Sequence, residues 1–241
     1  MACFMRHMAS IRNIVILTGA GISAESGLRT FRAEDGLWED HRIEDVATPE
    51  AFRRDPDLVQ RFYDERRANI LAAQPNPAHA ALAKLDAEWS GELLIVTQNI
   101  DDLHERAGAR RMLHMHGEGL SAWCTACDAR HPWQGTLRDK PPCPACGQAA
   151  LRPDIVWFGE MPYRMDEIFA ALTRADLFVS IGTSGGVSRK VSRICPQWQL
   201  PRCSAVCSLI AKSPPPRPGP ARSPGRAETR RTTPSPGCAR D

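Results

Sequence analysis

No stretch of this 241-residue chain approaches the run of about 18 apolar residues needed to span a membrane, and its first residues lack the continuous apolar core of a secretory signal. A membrane role is therefore not expected, and the cytoplasm is the expected location. Residues 186–241 are poor in aromatics, with Trp198 alone, and poor in acidic groups, with two Asp/Glu against eleven Lys/Arg. Ten of the twenty prolines also fall there, several within Ser213–Pro220 (SPPPRPGP). Such a segment cannot bury enough apolar surface to offset its ordering entropy, so a disordered, basic tail is expected. The net charge of +3 thus conceals a body, residues 1–185, that carries −6. A mildly acidic body with enough apolar residues for a core, 42% of the chain, suits a soluble enzyme.

The body has the pattern of an α/β fold. The apolar run Ile14, Val15, Ile16, Leu17, within Ile11–Thr18, predicts a buried parallel strand, because both of its faces must be covered. Gly19, Gly21 and Ala24 follow directly as GxGxxA. After a strand, that pattern lets backbone amides of the turn and the next helix start face a pyrophosphate, although an ordinary glycine-rich turn has the same look. Helical patterns cover Asp57–Ala73 and Pro77–Glu88. Leu93–Val96 predicts a second buried strand, which delivers Thr97, Gln98, Asn99, Ile100 and Asp101 to its carboxyl end, where ligands of open α/β sheets gather. Asp176–Gly182 repeats the arrangement, with Thr183 and Ser184 at its tip. The expected fold is a Rossmann-like parallel sheet with helices on both faces.

Four of the nine cysteines fall as two CxxC pairs, Cys124/Cys127 and Cys143/Cys146, with fifteen residues between the pairs. This spacing predicts a zinc ribbon inserted over residues 117–152, and four thiolates would close a tetrahedral, structural site. A redox dithiol is the competing reading. Zinc ribbons also bind nucleic acid, but this one carries only a modest basic excess and no interleaved aromatic stripe, so a nucleic-acid partner is not expected except through the basic tail. Cys195, Cys203, Cys207 and Cys238 have no metal spacing.

Taken together, Gly19–Trp38 (GAGISAESGLRTFRAEDGLW), Gln98–Asp101 (QNID), His116 in HMHGE, the four cysteines, Pro153–Glu160 (PDIVWFGE) and Gly182–Gly185 (GTSG) resemble the sirtuins, NAD-dependent protein lysine deacylases. The resemblance spans residues 11–185. It implies that NAD is consumed: the acyl-lysine oxygen attacks the nicotinamide ribose, nicotinamide leaves and the acyl group ends on ADP-ribose. It further implies that His116 is the base, with Asn99 also catalytic, and that His114 is structural. Gly19, Ala20, Gly21, Ala24, Phe31, Arg32, Trp38, Gln98, Asn99, Ile100, Asp101, Gly182, Thr183 and Ser184 would hold NAD. Val156, Trp157, Phe158 and Gly159 match the stretch along which an acylated-lysine peptide lies as an added strand.

Tyr63 and Arg66 stand three apart on a predicted helix and share a face, where an Arg fork beside a phenol suits a carboxylate. On spacing alone they read as packing and a surface charge. The FYxxRR pattern, however, resembles the sirtuin subclass acting on malonyl, succinyl and glutaryl lysine, with acetyl as a further substrate. Beyond Gly186 the resemblance stops, and the Arg, Pro, Ser, Ala and Gly content is that of a GC-rich coding region read out of frame. Without the family's last strands, a bare sheet edge beside LFVSIG is expected. The rival readings are a truncated sirtuin that only binds acyl-peptides and a zinc-ribbon nucleic-acid binder with a basic tail.

Overall fold

The computed structural model describes residues 11–29 and 41–183, together with the backbone of 37–38 and 205–209. Its main sheet is built from β1 (Asn13–Thr18), β4 (Glu92–Thr97), β5 (Met112–His114), β9 (Leu177–Ile181) and β10 (Ala205–Leu209), in the order β10-β9-β1-β4-β5 and parallel throughout. The other strands are β2 (Leu37–Trp38), β3 (His41–Arg42), β6 (Gly117–Cys124), β7 (Arg130–Pro132) and β8 (Leu151–Ile155).

Both faces of the parallel sheet are covered, which is why its strands are apolar at successive positions. On one face Ile14, Ile16, Leu93 and Ile95 meet Leu82 and Ala83 of the helix Pro77–Glu88. On the other, Val15, Val96 and Leu113 meet Ile168 and Leu172 of the helix Met165–Arg174. Side chains such as Ile16 and Ile95, which are almost wholly enclosed, each contribute about 1.5–3 kcal/mol by leaving water.

In chain order the helices are α1 (Ile43–Val46), α2 (Pro49–Arg54), α3 (Pro56–Ala72), α4 (Pro77–Glu88), α5 (Leu103–Arg106) and α6 (Met165–Arg174). The first three form a separate layer with its own core of Val46, Val59, Phe62, Tyr63, Ile70 and Trp157. Local signals set their starts: Thr48 Oγ1 caps α2 by accepting from Ala51 N at 3.0 Å, Asp55 Oδ1 caps α3 from Leu58 N at 2.9 Å, and each helix opens on a proline. Beside this layer, β7-β6-β8 form a small antiparallel sheet that carries the cysteine loops.

Arg67 fastens the two together. Its guanidinium is buried, bonding Asp64 Oδ1 at 2.6 Å and the carbonyl oxygens of Gly119 and Gly135, while Asp64 accepts from the backbone of Leu137 and Arg138.

One expectation is corrected at the sheet's edge. Rather than standing bare, β9 is paired by β10 over the full register from Ala205↔Leu177 to Leu209↔Ile181. The five-residue strand AVCSL inside the Pro- and Arg-rich segment is enough to complete the ladder. Residues 184–204 and 210–241, where the disordered tail is expected, lie otherwise outside the described residues.

Candidate active site

The connections of the sheet part between β1 and β9, and it is at the carboxyl ends of such strands that open α/β sheets bind ligands. There the ends of β1 and β9 meet backbone to backbone. Gly19 N–H donates to Ile181 O at 3.0 Å and Gly21 N–H to Gly182 O at 2.8 Å. A Cβ on Gly21 would stand 2.8 Å from Gly182 O, and one on Gly182, whose φ is +65°, would stand 2.4 Å from Ile22 N. Neither glycine can therefore carry a side chain without prising the strands apart. Gln98 Oε1 and Thr183 Cγ2 close on the same junction, 3.1 and 2.9 Å from the place a Gly19 Cβ would take. Gly19, Gly21, Gln98, Gly182 and Thr183 thus converge. Ala20 and Ala24 sit half-buried on the segment Ala20–Ser26, which is a 3-10 helix rather than the expected α-helix start and ends at Gly27 with φ of +89°. Phe31, Arg32, Ser184 and the side chain of Trp38 lie outside the described residues.

Behind the junction runs a buried polar chain. Ser23 Oγ donates to Asp101 Oδ2 at 2.9 Å and accepts from Asn99 Nδ2 at 3.0 Å, with His79 Nε2 at 3.4 Å. Asn76 N–H donates to His79 Nδ1, which leaves the ring proton on Nε2, facing Ser23. His79 stacks edge-on against His104, whose Nε2 lies 3.1 Å from Thr18 Oγ1. Burial pushes both imidazoles down to about 4, so both are neutral near pH 7. Burial also raises the Asp101 carboxyl, against the bonds from Ser23 and the Leu103 amide. Of this chain, only Asn99 and Asp101 were legible as site residues. Ser23, His79, His104, Asn76 and Thr18 were missed, although Asn76-Pro77 followed by His79 is a readable helix start with a reciprocal cap. Ile100 belongs to the buried apolar cluster of the helical layer, with Ile70 and Leu103.

His116 Nδ1 lies 3.1 Å from Gln98 O. A carbonyl only accepts, so Nδ1 carries the proton and Nε2 keeps its lone pair. Burial lowers the pKa of this ring, partly offset by the bond to Gln98, which keeps it a neutral base near neutrality. His114 has the same anchor one residue on, with Nδ1 3.0 Å from Asn99 O, but its Nε2 meets Glu105 Oε1 at 2.7 Å.

The stretch expected to add a peptide strand is already engaged. Val156 N–H donates to His116 O, Trp157 N–H to Glu160 Oε2 and Phe158 N–H to Ala47 O. Those three donors are engaged within the chain, so a peptide strand added here would pair through the neighbouring carbonyls. Trp157 is a core residue, 2% exposed, whereas Phe158 stands 53% exposed. Arg152 explains the loop's shape: its guanidinium lies 3.4 Å above the Trp157 ring and bonds Glu160 Oε1 at 3.0 Å. Gly159 turns the chain with φ of +93°.

Trp157 also links this loop to α3. Its indole donates to Tyr63 Oη at 3.1 Å, and burial drives the phenol pKa well above its usual value, with the Arg66 charge among the opposing influences. Tyr63 and Arg66 are both buried and one turn apart, so the predicted pair is brought together.

The four sulfur atoms of Cys124, Cys127, Cys143 and Cys146 lie within 4.8 Å of one another, with Cys124–Cys146 at 3.7 Å and Cys127–Cys143 at 3.8 Å. Bonds of about 2.3 Å in a tetrahedron put sulfurs about 3.8 Å apart, so the set fits zinc and is too open for a disulfide. His131 Nε2 stands 3.4 Å from Cys143 Sγ, outside the sulfur cluster, a neighbour that the cysteine spacing gave no means to find.

The Sir2 family profile matches residues 19–189. An NAD-dependent protein deacylase of Bdellovibrio bacteriovorus is 62% identical over 179 residues, 73% of this chain and 76% of that protein. A Sir2 homologue solved as an NAD complex superposes with a TM-score of 0.74 at 39% identity, covering 86% of this chain and 81% of that one. A Sir2 protein solved with a p53 peptide and NAD+ gives 0.70 at 30% identity, covering 88% and 87%. Among the described residues no helix is long and apolar enough to cross a membrane.

Proposed function

Because this chain belongs to the Sir2 family, we propose that it removes acyl groups, among them succinyl, malonyl, glutaryl and acetyl, from protein lysines with NAD as co-substrate. The observation that carries the reading is His116, anchored through Nδ1 on Gln98 O with Nε2 left basic, beside the side-chain-free cradle of Gly19, Gly21 and Gly182. NAD would supply the electrophilic carbon of its nicotinamide ribose, which the acyl oxygen attacks as nicotinamide leaves, and the ribose hydroxyl on which the acyl group ends. Gly19, Gly21 and Gly182 let the ends of β1 and β9 close on one another beside the place its phosphates would take, and Gln98 would border the ribose. Asn99 spends one amide hydrogen on Ser23 and keeps its oxygen and second hydrogen for the nicotinamide end, while Asp101 is held by Ser23. His116 Nε2 then takes the proton of a ribose hydroxyl.

Zinc, held by the four cysteines, supplies no reacting atom, because four thiolates close its coordination. An acylated-lysine peptide would lie beside Phe158 and Gly159 by way of carbonyls and apolar contact, since the neighbouring amides are engaged. Arg66, with Tyr63 beside it, supports an acyl group that ends in a carboxylate.

Mass spectrometry of matched acetyl- and succinyl-lysine peptides, with and without NAD, tests the reading. His116→Ala should abolish turnover. Arg66→Met should lower kcat/KM for succinyl-lysine about a hundredfold, the scale of a lost buried charged bond, and leave acetyl turnover much closer to wild type. Equal losses on both peptides would remove the acyl assignment, and no NAD-dependent loss of either acyl group would remove the enzyme reading.

A further inference from the structure

We infer that Glu105 and His114 form a protonated clamp on the Asn99 carbonyl, fixing the Gln98–Asn99 segment on which the site is built. The geometry leaves His114 little choice. Nδ1 faces a carbonyl oxygen at 3.0 Å and must donate; Nε2 faces a carboxylate at 2.7 Å, so the pair holds a second proton between them. The ring is nearly enclosed, 9% exposed, while Glu105 is 40% exposed. Asn99 N–H in turn donates to Thr97 Oγ1, so the Asn99 backbone is gripped from both sides. His116 grips the preceding carbonyl, Gln98 O, but leaves its second nitrogen open. One histidine is thus a neutral base and its neighbour a cationic clip, on consecutive carbonyls of one loop.

The groups facing His114 are Glu105 and the neutral His104 on α5, Asp101 after β4, and Glu118 on β6. Beyond them a cavity of about 600 Å³ is also lined by Arg110, Arg130, Asp154, Tyr163 and Arg164 and gives the pair a path to solvent. Arg130 is turned to Asp154 and Arg164 to Glu167, which leaves Glu105 as the dominant partner. Against burial, which would lower it, the bond and charge of Glu105 raise the pKa of His114. The clamp is closed below that raised pKa and opens as pH rises through it, when the Nε2 lone pair meets a carboxylate. His116 runs the other way, gaining its basic form as pH rises.

This rests on the deacylase reading only for the meaning of the segment held, so the test uses the zinc-loaded full chain and two readouts that need no turnover. Nitrogen-15 shifts of the His114 ring should show both nitrogens protonated at pH 7, and a single protonated nitrogen in Glu105→Gln, whose amide can donate to the neutral ring. Calorimetric titration with ADP-ribose should give a Kd that rises about tenfold as pH passes through the His114 titration, and one independent of pH in Glu105→Gln. A singly protonated His114 ring in the wild type at pH 7, or a wild-type Kd that stays flat across its titration, overturns the clamp. Absence of acyl-peptide turnover with these shifts intact would overturn the deacylase reading and leave the clamp standing. If ADP-ribose does not bind, the ring shifts alone decide.

Discussion

His131 stands beside the sulfur cluster on β7, opposite Ala122, and its Nε2 is 3.4 Å from Cys143 Sγ, which also accepts from the Ala145 amide at 3.4 Å. A thiolate that receives two N–H bonds is a better held ligand, because part of its charge is balanced without leaving the metal. His131→Phe, which keeps the ring and loses the donor, should release zinc to a chelator about tenfold faster, the scale of a lost partner behind a ligand. A colorimetric zinc-release assay reads this directly, and an unchanged rate would make His131 mere packing. The cysteines themselves were legible because a ribbon's ligands have two residues between them within each turn. Ser23 and His79 were not, because what makes them polar partners is a meeting of segments far apart in the chain, which no local spacing encodes.

Among the elements, α3 does two jobs with adjacent arginines. Arg66 lies on the Tyr63 face, while Arg67 reaches across to Asp64 and the backbone beside the cysteine loops. The helix itself was readable from its prolines and its apolar spacing, and its observed span Pro56–Ala72 falls one residue from the expected one. Which arginine is structural was not readable, since the partners of Arg67 come from residues 119 and 135. Asp64→Ala would strand a guanidinium that is 2% exposed, with an expected cost of about 3 kcal/mol. Urea unfolding should show a lower midpoint at unchanged slope, and limited proteolysis should find a loosened loop at 135–138. A midpoint within error of wild type would mean that the two backbone carbonyls hold Arg67 unaided.

At the scale of the molecule, the buried His79–His104 pair should set the acid limit of stability. Unfolded imidazoles titrate near 6.5 and these two near 4, so between those values the unfolded chain binds more protons and stability falls as pH drops. The loss approaches about 3 kcal/mol for each ring by pH 4, and His104 Nδ1, buried without a hydrogen-bond partner, offers no relief. Urea midpoints at pH 7, 5.5 and 4.5 would read the slope; a flat profile would show that both rings stay protonable in place.

The overall architecture was largely legible because β1, β4 and β9 are continuous apolar runs. A short strand at Val206–Ile210 was legible, one residue from the observed Ala205–Leu209, but its pairing with β9 was not, since its surroundings in sequence are those of a chain that does not fold. The cradle of Gly21 and Gly182 joins segments about 160 residues apart, a long-range closure of the slow kind. On a ribosome, one half of that cradle would emerge long before the other. Nascent chains would gather their helical layer and zinc loops first and gain a grip on dinucleotide only near the end of synthesis, so the cofactor cannot guide early folding and can only seal what is already built.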